Sequence, residues 1–154
     1  MSEARRAKFR RGLHHLYIPI YDALCEQLPE DWQPFWGVRT FEEQEQIYAQ
    51  GRTLPGAIVT DAEPGESPHN YGCASDWTLF ADRKPLWLPL NDSRWNVYQR
   101  ACESVGARWG GIFKHQDRYH NELKINVRWA AIGEAYKTQG LSAALTMIER
   151  SAQA

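Results

Sequence analysis

The centre of the sequence reads SPHNYGCASD over residues 67–76. It closes a segment, 52–72, in which proline and glycine recur and which we therefore predict to be a loop. A loop of this length in a compact domain is typically either functional or disordered. Residues 74–80 predict a strand, so the polar end of the loop leads directly into a sheet.

Two pairs of polar residues have the chemistry of metal ligands. His69 and Asp76 lie seven positions apart, and Asp117 and His120 lie three apart. Two imidazoles and one carboxylate are a common zinc ligand set, and they leave one coordination position open, as catalytic sites do. Isolated histidines and aspartates are more often caps, core residues or surface residues, so the spacing alone leaves those alternatives open.

The spacing of Asp117 and His120 also predicts local structure. Residues three apart share a face on a helix or a tight turn, but not on a flat strand. If both side chains face one cavity, the Asp117 carboxylate can take a proton from a bound water. We therefore expect a turn or bulge at 118–119.

The N-terminal half predicts two helical regions. Apolar residues recur at helical spacing over 3–28, where Pro19 is expected to kink or split the helix. A short strand is predicted over 35–38, and a capping-box signature precedes a helix over 41–50.

The C-terminal half adds further helices. Ser93 is predicted to cap a helix that ends near residue 105, and Trp109-Gly110-Gly111 predicts a turn or bulge. Two more helices are expected over about 127–150. Because helices and strands mix without βαβ alternation, the predicted class is α+β, with a small antiparallel sheet flanked by helices.

Length and composition limit the organisation and the partners. A chain of 154 residues without internal repeats predicts one compact domain, 1–154. The net charge of −1 argues against binding to the phosphate backbone of nucleic acids. The longest apolar run is too short to span a bilayer, so we expect no stable membrane insertion. The basic N-terminus lacks a following apolar segment, which predicts synthesis in the cytoplasm without a signal peptide.

The numbers of cysteines and tryptophans favour a domain with free thiols and an aromatic core. The three cysteines form no CxxC pair, which argues against a disulfide scaffold. In a domain of this size tryptophan lies more often in the core than on a carbohydrate-binding surface, so we expect the seven tryptophans to be core residues. Cys73, which lies near His69, leaves a thiol hydrolase as a minor alternative.

Four sequence pieces in this order resemble one family of enzymes. They are Gly37-Val38-Arg39-Thr40 with Gln44 and the run 48–53, the Ser-x-His-x6-Asp pattern of 67–76, Trp109-Gly110-Gly111, and Asp117-x-x-His120. Together they resemble the VanY-like D-Ala-D-Ala carboxypeptidase and L-alanyl-D-glutamate endopeptidase family of zinc peptidases, which includes phage endolysins. The resemblance covers about 35–122.

The resemblance implies a role for individual residues. The residues that match the zinc ligands are His69, Asp76 and His120. Asp117 matches the acidic general base, Arg39 the arginine that binds the substrate carbonyl and stabilises the oxyanion, and Ser67 a serine of the substrate-binding wall. The implied fold is a hedgehog/DD-peptidase-like α+β domain whose small sheet carries the zinc.

The sequence departs from the family at four positions around the site. The residues that differ from the usual ones are Cys73, Trp77, Tyr119 and Asn121. None of them removes a ligand. They change the expected pocket walls, and therefore bear on the substrate.

The resemblance implies a zinc-dependent peptidoglycan peptidase that hydrolyses an amide bond of the stem peptide. The run 48–53 favours an L-alanyl-D-glutamate endopeptidase that acts as a phage or prophage lysin. The alternatives are a D-Ala-D-Ala carboxypeptidase of the same family, and a non-catalytic wall-binding or virion module with a structural zinc. The lysin is expected to be a monomer that reaches the wall or periplasm after release, with a holin-type export partner.

Overall fold

The structure, a computed structural model, describes residues 1–152. Within these residues the chain forms six helices and a five-stranded antiparallel sheet. The strands are β1 Trp32–Trp36, β2 Ala74–Ala81, β3 Lys84–Pro85, β4 Arg108–Trp109 and β5 His120–Glu122. The helices are α1 Glu3–Arg10, α2 Ile18–Gln27, α3 Phe41–Ala49, α4 Trp95–Ser104, α5 Trp129–Gln139 and α6 Leu141–Ala152. The predicted α+β class with a small antiparallel sheet is confirmed.

Strand β2 organises the sheet. The strand order is β1-β2-β5-β4, and β3 pairs with the far end of β2. The first six residues of β2 are buried, as expected for a strand covered on both faces. The register places Asp76 of β2 directly opposite His120 of β5. Two of the predicted ligands are therefore cross-strand neighbours.

The tryptophan prediction holds for four residues, which are buried in the core: Trp32, Trp77, Trp95 and Trp109. Trp36 and Trp87 are exposed instead. The core also contains polar side chains. Asn121 on β5 is fully buried, and its amide donates to Ser75 O at 2.9 Å and to Tyr98 Oη at 2.7 Å, while its Oδ1 accepts from Tyr17 Oη at 2.5 Å.

These contacts explain one departure from the family. Successive side chains of a strand point to opposite faces. His120 faces the metal ligands, so Asn121 faces the core. It therefore changes the packing behind the site rather than the wall of the pocket.

The prediction that Pro19 kinks or splits the N-terminal helix holds for the split but not for its position. The chain forms two helices that are separated at Gly12, which adopts a positive φ of 79°. Pro19 lies in the first turn of α2, where a missing N–H is tolerated because it would have no partner in the helix. Pro19 therefore begins a helix and does not kink one.

Two further boundaries differ from expectation. The predicted strand over 35–38 lies earlier, as β1, because the turn at 29–31 is followed at once by pairing with β2. Ser93 does not cap α4. Instead Asp92 Oδ1 accepts the N–H of Arg94 at 2.9 Å, just ahead of the helix.

Other local predictions are confirmed. Helix α3 has the expected capping box, in which Thr40 Oγ1 accepts from the Glu43 N–H and the Glu43 carboxylate accepts from the Thr40 N–H. Residues 118–119 form a turn. The C-terminal helices pack as a hairpin joined at Gly140. Within residues 1–152 no helix is both long enough and apolar enough to cross a bilayer.

Candidate metal centre

Three predicted ligands converge at the sheet. His69 Nε2 lies 3.2 Å from His120 Nδ1 and 3.3 Å from Asp76 Oδ1, and His120 Nδ1 lies 3.1 Å from the same oxygen. Tetrahedral zinc with bonds of about 2.0 Å separates its ligand atoms by about 3.3 Å. The donor atoms and their spacing therefore fit a divalent metal ion, which these three residues would hold.

A short 3-10 turn, Pro68–Tyr71, orients His69. Its Nδ1–H donates to Gly37 O at 2.7 Å, which leaves the Nε2 lone pair directed at the other two ligands. Gly72 ends the turn with a φ of 67°, and a Cβ there would collide with the carbonyl oxygen of Gly12. The turn that holds His69 therefore requires glycine at this position.

His120 is oriented by a residue that the sequence analysis missed. Its Nε2–H donates to the Glu122 carboxylate at 2.9 Å, so its Nδ1 faces His69 and Asp76. Glu122 is buried and lies two residues further along β5. Its place on the same face of the strand as His120 becomes apparent only once β5 is located, because the strand has just three residues.

The ligands strongly perturb one another when no metal is bound. Burial disfavours ionisation of Asp76, but His69 and His120 outweigh that effect and hold the pKa of Asp76 well below its usual range. Burial likewise opposes protonation of His120, yet the hydrogen bonds to Asp76 and Glu122 raise its pKa to about 10. A metal must therefore displace a proton from His120 at neutral pH.

Asp117 lies at the mouth of the same cleft. The residue is exposed, but nearby protein atoms displace water from its carboxylate, and this desolvation raises its pKa, with the negative charge of Asp76 raising it further. The Asp117 N–H donates to Gly110 O at 3.0 Å, and a Cβ on Gly110 would collide with Asp117 O. Gly110 therefore allows the turn carrying Asp117 to approach the sheet.

Arg39 faces the ligands from the segment that precedes α3. Its Nη1 donates to Gln44 Oε1 at 2.9 Å, and its guanidinium lies 4.9 Å from the ring centre of Trp36. Within residues 1–152 its buried Nε has no hydrogen-bond partner. The structure thus holds the guanidinium by one hydrogen bond and one ring contact.

Ser67 is buried in the cleft wall, and its Oγ accepts the His69 N–H at 3.3 Å. The serine therefore caps the turn that carries His69. Its hydroxyl proton is not committed by that contact.

The ligands, Asp117, Arg39 and Ser67 line one cleft of about 530 Å³. Exposed apolar residues, including Trp36 and Val59, form part of its wall. A larger groove of about 740 Å³ lies between α5 and α6, but none of the predicted site residues lines it. The smaller cleft is therefore the better candidate for a functional site, because the predicted site residues line it.

The thiol hydrolase alternative is disfavoured. The Cys73 thiol is fully buried, it is absent from the cleft lining, and burial raises its pKa well above the usual range, so it is a poor nucleophile. His115 is exposed at the cleft rim and is not among the converging ligands.

A second group of metal-type side chains consists of His14, His15 and Glu149. His14 is buried. Its Nδ1 accepts the Leu16 N–H at 3.3 Å, so the neutral ring carries its proton on Nε2, and neither nitrogen is free to bind a metal. His15 Nε2 is bonded to Glu149 at 3.0 Å.

The chain is similar to known peptidases over part of its length. Residues 60–123 match a Peptidase M15 family model described as D-alanyl-D-alanine carboxypeptidase. Over 98 residues the chain is 40% identical to the peptidoglycan L-alanyl-D-glutamate endopeptidase CwlK of Bacillus subtilis (strain 168). That match covers 58% of this chain and 59% of the relative, so the chain spans less than two thirds of the relative's length.

A solved structure has a similar fold. It is the L-Ala D-Glu endopeptidase ChiX of Serratia marcescens, with a TM-score of 0.55 and 21% sequence identity, over 80% of this chain and 89% of that one. All three converging ligands and Asp117 lie inside the matched residues 60–123, whereas Arg39 lies before them. Residues 60–123 of the chain are therefore similar to the Peptidase M15 family.

Proposed function

We propose that the protein is a zinc-dependent peptidoglycan peptidase that hydrolyses an amide bond of the stem peptide, and specifically an L-alanyl-D-glutamate endopeptidase. The observation that carries this proposal is the convergence, in one cleft, of a three-ligand centre with an open face, a carboxylate and a fixed guanidinium. The 40% identity to a peptidoglycan L-alanyl-D-glutamate endopeptidase supports the choice of bond.

The proposed metal ligands are His69 Nε2, Asp76 Oδ1 and His120 Nδ1. Two neutral imidazoles and one carboxylate suit zinc in type, number and spacing. A zinc ion bound here would act as a Lewis acid toward the substrate carbonyl and would make water more acidic. The low pKa of Asp76 keeps it ionised and ready to bind across the working pH range.

We assign Asp117 as the general base. Desolvation raises the pKa of its carboxyl, which brings the group closer to the pKa that favours proton transfer near neutrality. It would take the proton from the attacking water and return it to the leaving amine. A structural metal site would have no need of this carboxylate, which argues against a non-catalytic module.

We assign Arg39 to the stabilisation of the developing oxyanion. Gln44 and Trp36 hold its guanidinium in advance, so little reorganisation is needed when charge appears on the carbonyl oxygen. Ser67, with its uncommitted hydroxyl proton, is proposed to bind substrate at the cleft wall.

A D-Ala-D-Ala carboxypeptidase is the second candidate, because the matched family model carries that description. For either bond, the proposed place of action is the bacterial cell wall, and a phage or prophage lysin is part of the proposal. We further propose that the chain acts as a single domain and as a monomer. Contacts such as the ion pair between Lys137 of α5 and Glu63 of the loop support one packed unit.

The test is digestion of purified peptidoglycan by metal-stripped protein with and without added zinc, with products identified by mass spectrometry and amine labelling. Zinc-dependent release of a new D-Glu amine is the expected result. Release of free D-Ala would favour the carboxypeptidase. Absence of cleavage by protein that carries one zinc would overturn the enzymatic proposal.

A further inference from the structure

Glu122 is a buried carboxylate that the proposed reaction does not use. Its residue is 3% exposed, and it lies in the wall of the catalytic cleft. It follows His120 by two positions on β5, so both side chains point to the same side of the sheet. A charge buried to this extent is costly unless it is paired and hydrogen-bonded.

Both carboxylate oxygens of Glu122 have partners. Oε2 accepts the hydrogen bond from His120 Nε2 at 2.9 Å, and Oε1 accepts one from Arg108 Nη1 at 3.3 Å. Arg108 lies directly opposite Glu122 in the pairing of β4 with β5. The Arg108 guanidinium also lies 4.7 Å from the ring centre of Phe113, which in turn lies beside the His120 ring.

This chain of contacts fixes the tautomer of His120. A carboxylate only accepts hydrogen bonds, so Nε2 carries the proton donated to Glu122, and Nδ1 is the ring nitrogen that faces His69 and Asp76 and that a metal would bind in place of a proton. Without Glu122, the ring could rotate or carry its proton on Nδ1, and either change would remove the third ligand atom. Carboxylates that hold metal-binding histidines in this way raise metal affinity in other proteins.

We infer that Glu122 is a positioning residue of the metal centre, which holds His120 Nδ1 toward the metal, and that Arg108 holds Glu122 in place. The inference rests on the proposed function only in requiring a metal at this site. It does not depend on which bond is cleaved.

The experiment measures zinc affinity of the full, metal-stripped chain by competition with a chromophoric chelator. Glu122→Gln is expected to bind zinc about 10- to 100-fold more weakly, the range found for such supporting residues. Arg108→Ala, whose side chain is half exposed, is expected to lose affinity in the same direction but by less. Glu134→Gln removes an exposed carboxylate from α5 and is the matched control, with unchanged affinity expected.

A second readout separates positioning from general destabilisation. The visible absorption of the cobalt(II)-loaded protein reports the ligand geometry, and it should change in Glu122→Gln but not in Glu134→Gln. A merely structural role would lower the unfolding temperature of the metal-free protein without changing zinc affinity or the cobalt spectrum.

The outcomes are distinguishable from failure of the proposed function. Unchanged zinc affinity in folded Glu122→Gln would overturn the inference, and if that variant does not fold, unchanged affinity in Arg108→Ala would do so. Wild-type protein that binds zinc with the expected differences but cleaves no peptidoglycan would overturn the proposed function and leave the inference standing. Wild-type protein that binds no zinc would overturn both.

Discussion

The buried amide of Asn121 should make a large contribution to stability. We predict that Asn121→Leu, which keeps the number and branching of the side-chain heavy atoms but replaces the amide by larger methyl groups, lowers the free energy of unfolding by about 3 kcal/mol. The variant loses the hydrogen bonds to Tyr17 Oη, Ser75 O and Tyr98 Oη, and each is worth about 1 kcal/mol net. The Tyr17 and Tyr98 hydroxyls keep one partner each, Ser75 Oγ and Tyr119 O, so no hydroxyl is left entirely unpaired.

Chemical and thermal denaturation of the metal-free protein measure this effect without a contribution from metal binding. For a domain of this size, a loss of about 3 kcal/mol corresponds to a decrease in Tm of about 6–12 °C. Asn96→Leu, on the exposed face of α4, is the control and should change stability by less than about 0.5 kcal/mol. A loss below about 1 kcal/mol in Asn121→Leu would refute the view that this network stabilises the core behind His120.

The remaining predictions concern the site itself. Asp117→Asn should keep its zinc and lose about 10²-fold or more in the rate of peptidoglycan cleavage, and a full rate would show that another group is the base. Because desolvation raises the pKa of Asp117, and a base must be deprotonated, activity should fall as pH decreases and should begin to fall at a higher pH than an ordinary aspartate would give; a pH–rate profile measures this limb. Asp76→Ala should abolish stoichiometric zinc by metal analysis, and retained zinc would contradict the ligand set. Gly110→Ala should reduce cleavage by displacing the turn of Asp117, whereas Gly106→Ala, which meets open space but strains a positive φ of 75° outside the cleft, should lose some stability and stay active; equal activity would argue against the close approach.

The residues that converge at the sheet could be identified from the sequence because their residue types and spacings are local features. His69 and Asp76 flank a loop-to-strand junction, and the three-residue spacing of Asp117 and His120 correctly predicted the turn between them. The convergence of the two pairs depended on the pairing of β2 with β5. Strand register is a long-range property, and the resemblance to a family, not the spacing, supplied it.

The roles of Glu122 and Asn121 were missed for a related reason. Both lie on β5, which has only three residues, too short to show a period of two in the sequence.

The misplaced break in the N-terminal helix has a different cause. Helical periodicity continues across Gly12, and only the close approach of that segment to Gly72 shows that the chain must turn there. Likewise, the sequence could not distinguish Asp92 from Ser93 as the side chain that precedes α4, because both residue types cap helices.

The two walls of the cleft are built from different kinds of structure. The ligands lie on paired strands and a tightly capped turn, whereas the opposite wall includes the exposed residues around Val59 from the long loop. Surface loops tolerate insertions and substitutions far better than paired strands do. Evolution could therefore alter which peptide fits by remodelling the loop alone, while the reactive centre is inherited unchanged. Variant libraries made to change the peptide specificity should accordingly diversify residues 53–62 and leave the sheet unchanged.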